Sequence, residues 1–247
     1  MRFGLVVMGL LLAVFGHSVQ AEQLRVGLIQ EGRKPYFWTD NQGQHHGLYI
    51  EILQRISKKL DQPLVFNYLP QARIRLYMKY DYLDIEPGIA KSWRNEQQEI
   101  DNSVYSIPFL ISEEVFVYNR NRGPSPQADE SKNTHLKYCS MIGFNKLYDD
   151  DNQEVRSEEQ LLEMVNLQRC DYILMPKLVF DYWAEGRIHS LVTTDVIKTY
   201  QLRLRLHKSK ANLLPDINIL LAKMAAENEI DSLLQTMFKD AREGNSQ

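Results

Sequence analysis

Hydrophobic and polar positions change period several times along the chain, and each change predicts a new element. Leu24 to Ile29 is a short apolar run typical of a strand. After Gly47, apolar residues recur every four positions at Ile52 and Ile56, which is typical of a helix. A second strand at 63–68, a second helix at 71–80 and a third strand at 83–86 follow. Strands that alternate with helices favour a parallel sheet covered by helices.

A polar segment interrupts this alternation near the middle of the chain. A β-rich stretch at 113–118 precedes the sequence NRGPSPQADESKNT, whose Gly and two Pro predict a surface loop or a domain edge. Ser157 and Gln160 then form a capping-box pattern, which predicts the start of a helix. Further strands are predicted at 138–144, 170–175 and 200–206, and further helices at 178–185, 217–227 and 230–239. The alternation therefore restarts after the break.

The first 21 residues have the pattern of an export signal. One basic residue, Arg2, precedes an apolar run from Leu5 to Phe15, and small residues lead up to Ala21. This apolar run is about half the length of the roughly 20 residues that a membrane-spanning helix needs. We therefore expect export, with cleavage after Ala21.

The charge of the chain argues against several classes of partner. The net charge is −3, and it becomes −4 without the leader, because Arg2 is the one charged residue there. No sustained Lys/Arg cluster is present, so we expect neither nucleic acid nor anionic lipid as a partner. The six His are scattered without ligand spacing, so we expect no metal site and no cofactor. The sequence also lacks a Gly-x-Ser-x-Gly elbow or a similar catalytic motif, and we expect no catalytic residues.

Two cysteines leave two alternatives open. Cys139 and Cys170 each lie at the start of a predicted strand, and an even number of cysteines in an exported protein is compatible with one disulfide. Neighbouring parallel strands could bring the two residues together. Spacing alone does not fix the geometry, so two buried thiols are the other interpretation.

The order of several motifs resembles a known family. These motifs are LRVGLIQEGRKPYFW with GLYIEIL, LDIEPGIAKSWR followed by YSIPF, and the tail TYQLRLRLHKSKANLLPDINILLAKMAAENEIDSLLQTMF. Together they cover nearly all of the chain after the leader and resemble the extracellular solute-binding protein family 3, the periplasmic substrate-binding proteins of polar-amino-acid ABC transporters. The resemblance implies an α/β protein of the type II periplasmic binding class, with two lobes joined by two crossing hinge strands. It would place the signal peptide at 1–21, lobe 1 at 22–112 plus 198–247, and lobe 2 at 113–197.

The resemblance also implies which residues of the first lobe meet a ligand. Arg94 ends a turn in which the family places an Arg that grips the ligand carboxylate, although Lys91 stands where the family has Thr. Tyr36 and Trp38 follow Pro35 where the family has an aromatic wall. Further ligand-facing positions of the family's pattern are Arg33, Glu86 and Ile89.

The second lobe departs from the family pattern. The usual Gly-Ser/Thr-Thr segment is replaced by a sequence that contains Asn145 and Lys146, and the position of the usual ammonium-binding Asp holds Pro176. Asn145, Lys146 and Lys177 instead indicate a ligand with more acceptors or more negative charge. We expect Asn145 to contact this ligand.

The resemblance favours one function over two alternatives. It implies a monomeric periplasmic protein that binds a small solute, amino-acid-like or another carboxylate, for an ABC permease in the inner membrane. The first alternative is a dehydratase on the same fold, which would need burial to raise the pKa of Glu86 toward neutrality. The second is a sensory or accessory binding module.

Overall fold

The computed structural model describes residues 22–121, 125–142, 144, 153–184 and 190–244. The predicted export signal at 1–21 therefore lies outside the described residues. In the part of the chain that is described, no helix has the length and apolar character needed to cross a membrane.

Strands and helices alternate in both halves of the chain. The strands are β1 (Leu24–Ile29), β2 (Trp38–Thr39), β3 (His45–His46), β4 (Leu64–Leu69), β5 (Ile85–Ile89), β6 (Ser103–Tyr105), β7 (Leu110–Asn119), β8 (Tyr138–Met141), β9 (Gln153–Val155), β10 (Tyr172–Pro176), β11 (Leu191–Thr193) and β12 (Lys198–His207). The helices are α1 (Leu48–Leu60), α2 (Gln71–Lys79), α3 (Gln97–Asp101), α4 (Glu158–Asn166), α5 (Lys177–Ala184), α6 (Leu214–Ala226) and α7 (Glu229–Gly244).

Most predicted elements are found within a few residues of their expected ends. The main difference is β5, which was expected at 83–86 but continues through Pro87 and Gly88 to Ile89. The strand can continue because its antiparallel partner β12 shifts register between Arg203 and Arg205. A register shift of this kind is a β-bulge, in which one strand contains an extra residue opposite its partner.

Two long strands connect the halves of the sheet. The strand order is β4-β1-β5-β12-β7-β10-β8-β9. β12 pairs with β5 through its C-terminal half and with β7 through its N-terminal half, from Lys198↔Glu114 to Leu202↔Leu110. β7 then pairs with β10. We call the half-sheet around β1 with its helices the first lobe, and the half-sheet around β10 with its helices the second lobe.

Each lobe has an apolar interior that follows from the sequence pattern. In the first lobe, α1 buries Ile52, Leu53 and Ile56 completely against the sheet. In the second lobe, α4 begins at the predicted cap, where the Ser157 hydroxyl accepts a hydrogen bond from the Gln160 backbone N–H. Gln160 itself accepts from the backbone N–H of Arg156 rather than from that of Ser157. The cap is therefore present without the complete capping box.

The two cysteines form a disulfide. Cys139 lies on β8 and Cys170 lies two residues before the start of the parallel strand β10, and their Cα atoms are 5.9 Å apart. Both residues are buried. The bond joins the two neighbouring strands in the interior of the second lobe.

Candidate ligand-binding cleft

A cavity of about 410 Å³ is formed by residues of β1, the turn after it, α1, α2, β5, the segment 92–95 after β5, and β7, with Phe144 of the second lobe. We call it the cleft. Its lining side chains form an ionic floor, an aromatic wall and one isolated carboxylate. The predicted site residues that line it are Tyr36, Arg33, Glu86, Ile89 and Arg94.

The ionic floor is built around Glu86. This residue is the second of β5 and is 4% exposed. Arg94 donates from Nε to Glu86 Oε2 at 3.3 Å and also from Nη2 to Glu86 Oε1. Arg205, which is fully buried on β12, donates from Nη1 to Glu86 Oε2 at 2.8 Å. Burial favours the neutral acid, but the two guanidinium groups outweigh it and hold the pKa of Glu86 below its usual range.

A second carboxylate completes this floor. Glu99 is fully buried and accepts from Arg75 Nε at 2.9 Å and from Arg75 Nη2 at 2.6 Å. It also lies 3.9 Å from Arg94 Nε and 3.7 Å from Arg205 Nη1. Each arginine of the floor therefore already faces a carboxylate of the protein.

This arrangement limits what Arg94 offers to a ligand. The resemblance implied a free guanidinium that grips a carboxylate, and Arg94 does line the cleft. However, its Nε and Nη2 are directed to Glu86, and its Nη1 donates to the backbone oxygen of Trp93 at 3.1 Å. A ligand carboxylate would therefore meet a guanidinium group whose positive charge is already paired with Glu86, with one further N–H on each of Nη1 and Nη2.

The charge state of Glu86 is also relevant to the dehydratase alternative. That alternative needs a carboxylic acid whose pKa is raised toward neutrality, whereas Arg94 and Arg205 lower the pKa of Glu86. The condition attached to the dehydratase alternative, a raised pKa of Glu86, is therefore not supported, because the arginine on β12 adds a second positive charge beside this carboxylate.

Aromatic rings form the wall of the cleft. Tyr36 and Tyr49 stack with ring centroids 5.0 Å apart and planes within 8° of parallel. Burial raises the pKa of Tyr36 to about 12. Gly88 adopts a φ of +73°, and a Cβ at this position would lie 2.2 Å from the Tyr49 hydroxyl. Gly88 is therefore required both by its backbone conformation and by the close approach of Tyr49.

Trp38 lies outside the cleft, contrary to the sequence-based expectation. It lines a second cavity of about 520 Å³, together with Lys34, Tyr182 and residues of α7. Its ring stacks on His46, with centroids 5.6 Å apart, because β2 pairs Trp38 directly with His46 of β3. Trp93, which sequence reasoning passed over, lines the cleft instead.

Arg33 connects the two lobes. Its Nε donates to Glu158 Oε1 of α4 at 2.6 Å, and the Glu158 side chain is only 4% exposed. The Arg33 guanidinium carbon also lies 4.9 Å from the centroid of the Phe144 ring. Arg33 thus lines the cleft as expected, but its described ionic contact is with the second lobe.

Glu114 is a cleft residue that the sequence analysis did not identify. It lies on β7, is 6% exposed, and accepts a hydrogen bond from the Ser112 hydroxyl at 3.0 Å. Burial raises the pKa of this carboxyl group, and the nearby charges of Arg33 and Lys198 only partly oppose the shift. The available signal was strand alternation, since Ser112, Glu114 and Phe116 share one face of β7 and are all buried.

The lobe-2 expectations have different outcomes. Asn145 and Lys146 lie outside the described residues. Lys177 donates to Asp181 of its own helix at 2.5 Å and does not line the cleft, so it gives no support for a negatively charged ligand. Among the described residues, no group of His, Cys, Asp and Glu could hold a metal ion.

The fold matches solved structures over most of the chain. One is a histidine kinase sensor domain with similarity to periplasmic binding proteins, with a TM-score of 0.72, 16% identity, and coverage of 88% of this chain and 96% of that chain. Another is the substrate-binding protein of an amino acid ABC transporter, with a TM-score of 0.70, 17% identity, and coverage of 87% and 99%. A third is the GluR0 ligand-binding core in complex with L-glutamate, with a TM-score of 0.74, 12% identity, and coverage of 89% and 99%.

These matches establish the fold and no more, because the identities are low. No family model matches the chain, and no curated protein matches its sequence. The chain has the fold of the type II periplasmic binding proteins, with two α/β lobes, which confirms the predicted fold class.

Proposed function

We propose that this chain is an exported binding protein of the family 3 type, which captures a small polar solute, amino-acid-like or another carboxylate, between its lobes. We further propose that it acts in the periplasm as a monomer and delivers the solute to an ABC-type importer. The cleft is the observation that carries the proposal. Its volume of about 410 Å³ lies within the range of roughly 300 to 1,000 Å³ that is typical of small-molecule sites.

The chemistry of the cleft supports binding of a polar solute rather than an apolar one. The floor holds ionised side chains in fixed positions, because Glu86 is bonded to two arginines. The wall adds the largely buried aromatic rings of Tyr36 and Tyr49, which stack on each other beside this floor. A site with a few fixed polar groups and an aromatic surface orients a small ligand through both kinds of contact.

The lobe organisation supports capture by closure. Residues of the first lobe, the joining strand β7 and the second lobe all line the cleft, so a change in lobe angle changes its size. We propose lobe boundaries of 22–112 plus 198–247 for lobe 1 and 113–197 for lobe 2. β7 and β12 exchange partners between the two half-sheets near these residues.

Isothermal titration calorimetry of the purified protein tests the binding function. The panel contains amino acids, polyamines, oligopeptides and organic acids. We expect one class to bind with one site per chain, and Trp93→Ala to weaken that binding by roughly tenfold through loss of aromatic contact. Trp38→Ala is the matched control, because Trp38 lines the other cavity. Absence of binding across the whole panel would contradict the proposal.

Uptake of the identified solute tests the transport role. We expect cells that lack the gene to lose uptake of this solute, and the reintroduced wild-type chain to restore it. Normal uptake together with loss of a response to the solute would instead favour the sensory module.

A further inference from the structure

We infer that Glu114 is the specificity-determining residue of the cleft, and that it selects a solute with a net positive charge, through an ammonium or guanidinium group that no carboxylate of the solute balances. This inference rests on the proposed binding function and narrows its ligand class to small organic cations, including cationic amino acids.

Among the described charged side chains that line the cleft, all but one have an ionic partner. Among the described residues that line it, Arg94 pairs with Glu86, Arg75 pairs with Glu99, and Arg33 pairs with Glu158. Glu114 is the remaining charged side chain of this lining, and its side-chain hydrogen bond comes from the neutral hydroxyl of Ser112. The acceptor capacity still available for a ligand is therefore concentrated on one carboxylate.

The positive charges of two protein side chains, Arg33 and Lys198, act on Glu114. Arg33 lines the same cavity and its charge acts on Glu114, but its described ionic contact is from Nε to Glu158 at 2.6 Å. Lys198 lies opposite Glu114 in the β7–β12 ladder and is exposed to solvent. Both lysine and arginine lower the pKa of Glu114, yet burial outweighs them. A ligand cation would supply the close partner that the ionised form of Glu114 lacks.

Two aromatic side chains line the cleft together with the carboxylate of Glu114. Glu114 lines the same cavity as the stacked rings of Tyr36 and Tyr49, and it is close enough to act on the ionisation of both. A cation that pairs with a carboxylate and also lies against an aromatic face gains from both interactions. A negatively charged solute would meet the carboxylate of Glu114 as a repulsive group.

A carboxylate clamp at Arg94 is a weaker source of selectivity than Glu114. The positive charge of Arg94 is already paired with Glu86, so a carboxylate on the ligand gains less from Arg94 than it would from an unpaired guanidinium group. We therefore expect a cationic solute to bind even when its own carboxylate is missing.

Matched ligands test the inference by calorimetry. The probes are L-arginine, its neutral isostere L-citrulline, agmatine, which lacks the carboxylate of arginine, L-lysine and L-glutamate. We expect at least one of the cations to bind, agmatine to retain much of the affinity of arginine, and citrulline and glutamate to bind weakly or not at all. Glu114→Gln should weaken the binding of the cation by roughly 30-fold or more, because it removes the charged partner of a buried pair.

Glu113→Gln is the matched control. Glu113 is the neighbouring residue on the same strand, but it is exposed, so the change in net charge is identical while the cleft is unchanged. Circular dichroism of both variants tests whether each is folded. Equal affinity of wild type and Glu114→Gln for the cation would overturn the inference.

The remaining outcomes separate the inference from the proposed function. If a neutral or anionic solute binds best, the selection of cations by Glu114 is wrong, while the binding function stands. If none of these probes and no member of the wider panel binds, both are wrong. If a cation binds and Glu113→Gln weakens it as much as Glu114→Gln does, the effect is long-range electrostatics, and the specific role of Glu114 is overturned.

Discussion

The pKa values of two buried glutamates in one cleft are shifted in opposite directions, although both side chains are almost inaccessible to solvent. Glu86 is 4% exposed and Glu114 is 6% exposed. The pKa of Glu86 lies below its usual range because two arginines bond it, whereas the pKa of Glu114 lies above its usual range because burial outweighs the nearby charges of Arg33 and Lys198 and the hydrogen bond from the neutral Ser112 hydroxyl. Burial alone thus does not decide the charge state of a carboxyl group, and the identity of its partners does.

The difference also separates structural from functional roles. Glu86 belongs to a network with Arg94 and Arg205 that fixes β5, the turn after it and β12 relative to one another. Glu114 has no comparable set of described partners and lines the space that a ligand would occupy. The fully paired carboxylate of Glu86 therefore stabilises the floor of the cleft. The incompletely paired carboxylate of Glu114 is available to bind a ligand.

The largest expected effect comes from Glu86→Gln. This variant leaves Arg94 and Arg205 buried without their carboxylate, and removing one partner of a buried ion pair costs about 3 to 5 kcal/mol. Urea denaturation at neutral pH measures the loss in the free energy of unfolding. Because the pKa of Glu86 is lowered in the folded protein, the wild-type advantage exists above the unfolded pKa and disappears as the pH falls through the folded value. A loss that stays constant down to strongly acidic pH would show that the carboxylate charge is not its cause.

A smaller loss is expected for Arg205→Met. Arg94 still pairs with Glu86 in this variant, so we expect a loss of about 2 to 3 kcal/mol in the free energy of unfolding. Arg203→Met on the same strand is the control, because Arg203 is partly exposed and bonds the backbone oxygen of Ser106. We expect a loss below about 1 kcal/mol for the control. Equal losses in the free energy of unfolding for the two variants would mean that the buried Arg205 of the ionic floor stabilises the protein no more than the partly exposed Arg203 does.

The contact between the lobes should contribute about 1 to 2 kcal/mol. Glu158→Gln keeps the shape of the side chain but removes the charge that Arg33 meets, and charge-assisted hydrogen bonds are worth roughly 1.5 to 3 kcal/mol. Thermal unfolding of Glu158→Gln, compared with exposed Glu159→Gln on the same helix, measures this contribution. An unchanged melting temperature for Glu158→Gln would show that Arg33 does not hold the lobes together.

The smallest effect has the opposite sign. Glu114→Gln should raise the free energy of unfolding at neutral pH by about 1 kcal/mol, because it removes the cost of burying an incompletely partnered charge. The folded pKa of Glu114 is raised, so wild-type stability falls as the pH rises from the unfolded value through the folded value. The advantage of the variant should therefore grow over that window and vanish below it. A destabilised Glu114→Gln at neutral pH would contradict the contrast with Glu86.

The sequence was sufficient for the architecture but not for this contrast. The four-residue period of Ile52 and Ile56 predicts α1, and both residues are fully buried as the period requires. The alternation in YQLRLRL also predicts the strand β12, but it assigns Arg205 to the exposed face. Arg205 is instead fully buried, since β12 brings it against Glu86, which is 119 residues away along the chain. Local periodicity contains no information on such a distant partner.

The same limit applies to the candidate site. Arg94, Glu86 and Tyr36 could be placed in the cleft by their motifs, and all three line it. Trp38 could not be placed correctly because its orientation depends on its pairing with His46. Glu114 was passed over because a Glu in a β-rich segment is usually an exposed residue of the strand. Its burial depends on how β7 is covered by both lobes.

The most direct measurement is a pH titration of the ¹³C chemical shifts of the side-chain carboxyl groups, with Glu86→Gln and Glu114→Gln used to assign the two signals. We predict that Glu86 titrates below, and Glu114 above, the pKa of about 4.3 that is normal for an unperturbed glutamate. Titration of Glu114 at or below that value would show that it already has adequate ionic partners. That result would contradict the account of the cleft as a satisfied floor beside one available carboxylate.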